Sequence, residues 1–159
     1  MKKLLYLLLL ITISTSGQWQ TKNFVDDFGE KTNEKYKILS ALGTFSNNIV
    51  SNKYSRIDII IKNDKEYTND SFYINVYEFQ NSQLATGYKS TLSTFKIKKP
   101  NGEVVEFLME FKAEGSLTLG KYGIDRFLEA TKDNGEYHIV FKRFLGNVTS
   151  VYKYKFTIK

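Results

Sequence analysis

The chain has 159 residues, no cysteine, a single proline, 15% aromatic residues and a formal net charge of +6. That length suits one domain with a sizeable core. The missing cysteine excludes disulfides, thiolate metal sites, a cysteine nucleophile and a lipid-modified N-terminal cysteine. The positive balance comes from 23 basic residues interspersed with 17 acids, a pattern of solubility and not of a nucleic-acid-binding stripe.

Lys2 and Lys3 precede an aliphatic run from Leu4 to Ile13, and small residues follow from Ser14 to Gly17. This is the three-part layout of a secretory signal peptide. The run of about ten apolar residues is half of the roughly twenty that a membrane-spanning helix needs. Residues 1–17 are therefore expected to be a cleaved leader. Residues 18–159 are expected to be one exported domain, periplasmic or extracellular, that does not span the membrane. Loss of Lys2 and Lys3 would lower its net charge to +4.

Period-two alternation dominates the remainder and predicts half-buried strands. The first runs from Lys35 to Thr44. In Ser55 to Lys62, Ile57, Ile59 and Ile61 share one face against Arg56, Asp58 and Lys62. In Ser71 to Gln80, Phe72, Ile74 and Val76 oppose Tyr73, Asn75 and Tyr77. Strands at Thr91 to Lys98 and Val104 to Lys112 flank Pro100-Asn101-Gly102, where Pro fixes φ and Asn-Gly supplies positive φ, so they predict a hairpin. Ile124, Phe127, Leu128 and Thr131 predict a short helix over Ile124 to Lys132, ended by Asp133-Asn134-Gly135. Glu136 to Arg143 and Val151 to Lys159 alternate again around Gly146-Asn147, a second predicted hairpin. The expected fold is all-β: a single antiparallel β-sandwich of seven or eight strands with one short helix.

Candidate chemistry is sparse. His138 is the only histidine and shares a polar strand face with Glu136 and Lys142; a general base needs a partner and a cleft, and a metal site needs more ligands. Nucleophile-elbow, zinc-protease, P-loop and dinucleotide-binding patterns are missing. The acidic stretch Asp26-Asp27-Phe28-Gly29-Glu30 is a candidate binding turn. Its acids are adjacent and its glycine early for a helix-loop-helix calcium site, which leaves a discontinuous site completed by Asp64 or Asp70, or an architectural turn in which Asp binds backbone amides and Gly29 takes a positive φ. Tyr73 and Tyr77, in phase with Phe79, lie opposite the core face of their strand and could stack on sugar rings; Trp19 lies near the mature N-terminus. The competing reading is that the second face of a central strand is itself covered. Glu106 and Glu110 share one strand face and are candidates for the paired carboxylates of a glycosidase, although Glu residues alternating with Lys112 also describe an ordinary solvated surface. Asn69-Asp70-Ser71 and Asn147-Val148-Thr149 match the N-glycosylation pattern.

Asp26-Asp27-Phe28-Gly29-Glu30-Lys31-Thr32 followed by Gly43-Thr44-Phe45-Ser46-Asn47 resembles a pairing found in small, uncharacterised exported proteins of Bacteroidota. The likeness continues at Tyr77 to Phe79, at Asn101-Gly102, at Ile124 to Leu128 and at the closing Ser150, Tyr152, Tyr154 and Phe156. Thr32-Asn33 departs from the Thr-Gly usual in that group. The resemblance implies export and a β-rich fold, with no activity or catalytic residues to carry over. Gly135-Glu136-Tyr137-His138-Ile139 and the final strand also look like the end of a type IX sorting domain; such domains are appended to larger cargo, so this likeness reads as shared hairpin chemistry. The expectation is an exported, non-enzymatic binding or envelope-associated structural protein without a cofactor. Asp26, Asp27, Glu30, Tyr73 and Tyr77 are its candidate contacts to a glycan or another envelope protein. The alternatives are a carbohydrate-binding module and an envelope glycan hydrolase.

Overall fold

Side-chain alternation carries most of the chain into strands. The computed structural model describes residues 18–62, 71–78, 82–83, 91–111, 116–145 and 147–159. The expected leader, Asp64, Asn69, Asp70, Phe79 and Lys112 lie outside the described residues. Along the chain come β1 (Gln20–Val25), β2 (Lys31–Ser46), β3 (Lys53–Lys62), β4 (Phe72–Glu78) and β5 (Ser82–Gln83). They are followed by β6 (Thr91–Lys98), β7 (Val104–Phe111), β8 (Ser116–Thr118), α1 (Lys121–Ala130), β9 (Gly135–Leu145) and β10 (Val148–Ile158). The protein is all-β with one short helix. Both predicted hairpins form, β6 with β7 and β9 with β10.

The expected two-layer sandwich is corrected by the pairing. Nine strands join one antiparallel sheet in the order β1-β2-β10-β9-β6-β7-β8-β4-β3, β5 pairs with β4 off this path, and β3 returns to pair with β2. Eight strands therefore close into a barrel. Closure depends on the length of β2, whose 16 residues serve two edges. One edge pairs with β3 from Tyr36 to Phe45. The other pairs with β1 from Lys31 to Ile38 and with β10 from Gly43 to Ser46. β1 lies off the ring as a hairpin arm on the first half of β2.

An eight-stranded barrel is just wide enough for its own side chains to fill, and aromatic rings fill this one. Phe95, Phe141, Tyr152 and Phe45 are successive cross-strand partners on β6, β9, β10 and β2. Their rings form a stacked row with centroids 5.5, 4.6 and 5.8 Å apart. The helix closes one end. Gly120 gives it no side-chain N-cap, so its support is packing: Ile124, Phe127 and Ala130 are buried. The Phe127 ring lies 4.9 Å from Phe72, 5.5 Å from Phe107 and 6.5 Å from Phe95. The helix starts three residues earlier than the sequence predicts and ends at Ala130, capped by Thr131, whose hydroxyl and amide both donate to the Phe127 carbonyl.

The outer surface carries Lys96, Lys98, Glu106, Glu110, Lys153 and Lys155, all exposed, between the inward aromatics. No helix among the described residues is long and apolar enough to cross a membrane.

Candidate binding site

The acidic turn joins β1 to β2. Asp26 Oδ1 accepts the amides of Phe28 at 3.0 Å and Glu30 at 2.9 Å, and Gly29 adopts φ +83°. Asp26 is thus committed to the turn, with Asp27 and Glu30 exposed beside it. No group of three or more metal-binding side chains occurs among the described residues. The two halves of the Asp26–Thr32 and Gly43–Asn47 pairing sit at opposite ends of β2, roughly 40 Å apart along an extended strand. The second half is structural: it pairs with β10, and Asn47 Oδ1 then accepts the amides of Ile49 and Val50.

Tyr73 and Tyr77 do share the outer face of β4, four residues and about 13 Å apart. Both are half-buried. The Arg56 guanidinium covers the Tyr77 ring at 4.3 Å, pairs with Asp58 at 3.2 Å, and Asp58 in turn accepts the Ser40 hydroxyl at 2.7 Å. These groups are spent on one another across β4, β3 and β2, which leaves one Tyr77 face unavailable for stacking. Burial raises the Tyr73 pKa, and Tyr36 and Tyr77 add to the rise. Trp19 packs against the core. The acidic turn and the two tyrosines do not converge.

The remaining sequence candidates lie on convex surface. Glu106 is ion-paired with Lys96, and Glu110 lies opposite Thr118 at the β7–β8 pairing. His138 meets Glu136 Oε1 at 2.9 Å, and Glu136 Oε2 meets Lys155 at 2.8 Å. Lys155, then His138, lowers the Glu136 pKa.

A concave feature forms where α1 meets the β6–β7 turn. It encloses about 220 Å³ and is lined by Lys99, Glu103, Val105, Arg126, Glu129 and Ala130. Arg126 sits 5.2 Å above the Phe107 ring. Lys99 reaches Glu103 at 3.0 Å and Asp133 at 3.9 Å; the Glu103 bond raises the lysine pKa, and the same bond lowers that of the glutamate. Sequence reading identified the turn and the helix but not these side chains, because nothing local says that the two elements meet.

The opposite end of the barrel has a polar interior. Tyr152 donates to Glu78 Oε1. The Ser55 hydroxyl donates to the Tyr77 carbonyl at 2.9 Å, so Tyr154 must be the donor in its 2.6 Å contact with Ser55. Burial is the leading cause that raises both tyrosine pKa values; the Glu78 bond adds to the rise at Tyr152, and the Ser55 bond opposes it at Tyr154. Comparison with protein-family models, curated proteins and solved structures finds no match to this chain.

Proposed function

We propose that this chain is an exported, non-enzymatic binding module that takes one sugar unit of an envelope glycan between α1 and the β6–β7 turn. One observation carries the reading: the barrel interior is filled, and the α1 cleft joins an apolar floor, Val105 and Ala130, to charged groups of both signs. Sugar rings call for that combination, since vicinal hydroxyls bond planar charged groups while ring C–H faces seek apolar contact. Glu106 and Glu110 stand four residues and about 13 Å apart along β7, beyond the spacing of paired glycosidase carboxylates, which supports the non-enzymatic reading. Export rests on the Lys2 to Gly17 pattern; the N-terminal residue of protein recovered from the periplasm or medium, expected near Gln18, tests it.

The cleft is tested by calorimetric titration with neutral and acidic sugars. A ligand should bind wild-type protein and lose at least tenfold affinity in both Arg126→Ala and Glu129→Ala, exposed positions whose replacement leaves thermal stability unchanged. Binding that survives both changes, or no binding across the panel, overturns the assignment.

A further inference from the structure

Arg143 lies on the inner face of β9 opposite Ser150 of β10, with 8% of its surface exposed. Its guanidinium carbon is 5.5 Å from the centre of the Phe111 ring, and its charge and its hydrogen bond to the Tyr152 hydroxyl both oppose that phenol's pKa rise. Nη2 is sealed from solvent and has no hydrogen-bond partner. A guanidinium stays charged at any ordinary pH, so this burial cannot be relieved by losing a proton. A buried charge is normally paired.

Among the described residues the Tyr152 hydroxyl oxygen accepts from this guanidinium, but Nη2 is left without an acceptor. Among the described residues no carboxylate stands within ion-pair distance of Arg143. Nearby polar groups are turned to other partners, Tyr152 to Glu78 Oε1, Ser93 to the Lys142 carbonyl and Ser150 to Asn47 at 3.4 Å. What remains is one guanidinium edge with an unused donor, beside an aromatic face and a phenol. We infer that the polar end of the barrel binds a small carboxylate-bearing ligand on Arg143, between the Phe111 ring and the Tyr152 hydroxyl. A guanidinium fork matches carboxylate geometry. Glu78, one tyrosine away, disfavours a more highly charged anion such as phosphate. Uptake requires side-chain movement at this end, because Nη2 is shielded.

The chain has only three arginines, Arg56, Arg126 and Arg143, so its side-chain Nε–Hε NMR spectrum contains three signals. The Tyr152→Phe change identifies that of Arg143 by displacing it selectively. Sodium acetate is titrated into the purified wild-type protein, with sodium chloride and sodium phosphate as controls at matched pH and ionic strength. Acetate should move the Arg143 signal along a saturating curve while Arg56 stays in place, with at least tenfold weaker responses to chloride and phosphate. No movement, a linear drift shared by all three arginines, or equal saturation by either control anion overturns the proposal. Arg126 reports the α1 cleft separately, so a failure of sugar binding there does not bear on this result.

Discussion

Gly43 is the position where closure of the barrel can be tested most sharply. A Cβ added there would lie 2.1 Å from the Lys153 carbonyl oxygen, 2.5 Å from Tyr154 Cδ1 and 2.9 Å from Tyr154 Cα. The first contact is nearly an ångström inside the 3.0 Å that real Cβ atoms essentially never breach. Two of the three obstacles are β10 backbone, which cannot rotate away. Relief requires β2 and β10 to separate at Gly43, the last of only four residue pairs that join them. Overpacking of a tight site costs about 1–3 kcal/mol, and a lost hydrogen bond adds about 1 kcal/mol. Gly43→Ala should therefore destabilise the protein by about 2–4 kcal/mol, or roughly 5–15 °C in Tm. Urea unfolding should show a lower midpoint, and amide exchange should accelerate over Gly43–Ser46 and Val151–Tyr154 while the β6–β7 hairpin stays protected. A Gly43→Ala protein within about 0.5 kcal/mol of wild type, inside the range of ordinary surface changes, would mean that β2 and β10 do not approach this closely.

Other consequences follow from packing and titration. Phe127→Ala removes the ring buried among Phe72, Phe95 and Phe107 and should cost about 3–5 kcal/mol, read from urea midpoints; a loss under about 1 kcal/mol would show that the helix does not plug the barrel. Asp26→Ala removes the one oxygen that accepts two backbone amides in an exposed turn and should cost about 1 kcal/mol, with Asp26→Asn recovering most of it; a calcium-dependent Tm shift that Asp26→Ala abolishes would instead make the turn a metal site. Tyr152 and Tyr154 are raised above the ordinary value of 10.0, so the unfolded chain releases their protons first as pH rises. Their contribution is complete below pH 10 and falls by up to about 1.4 kcal/mol per pH unit for each tyrosine above it. Unfolding free energies from pH 7 to 11 should be shallower in Tyr152→Phe; an unchanged alkaline slope would refute the burial argument.

Much of the local architecture was legible. Phe72, Ile74 and Val76 share a face by alternation alone, and Pro100-Asn101-Gly102 turns the chain because its backbone preferences leave little choice. The Asp26 turn was legible as an architectural possibility for the same reason. β1, β5 and β8 were not: Gln20 to Val25 is polar and gains its strand by pairing with β2, while β5 and β8 span only two and three residues. The candidate site fared worse. Arg126 and Glu103 stand 23 residues apart in a common cleft, and Arg143 lies over the Phe111 ring, without any spacing that marks them.

From residue order alone came the strand phases, the helix, both hairpins and the all-β class, since each depends on neighbours within a few positions. Tertiary structure decided that one sheet closes on itself instead of folding into two layers, that Phe127 plugs an end, and that Glu78 meets Tyr152 across 74 residues. Alternation states which side chains turn inward but is silent on which edge each strand finds. That choice is made by long-range pairing and by how many aromatic rings an eight-stranded interior can hold.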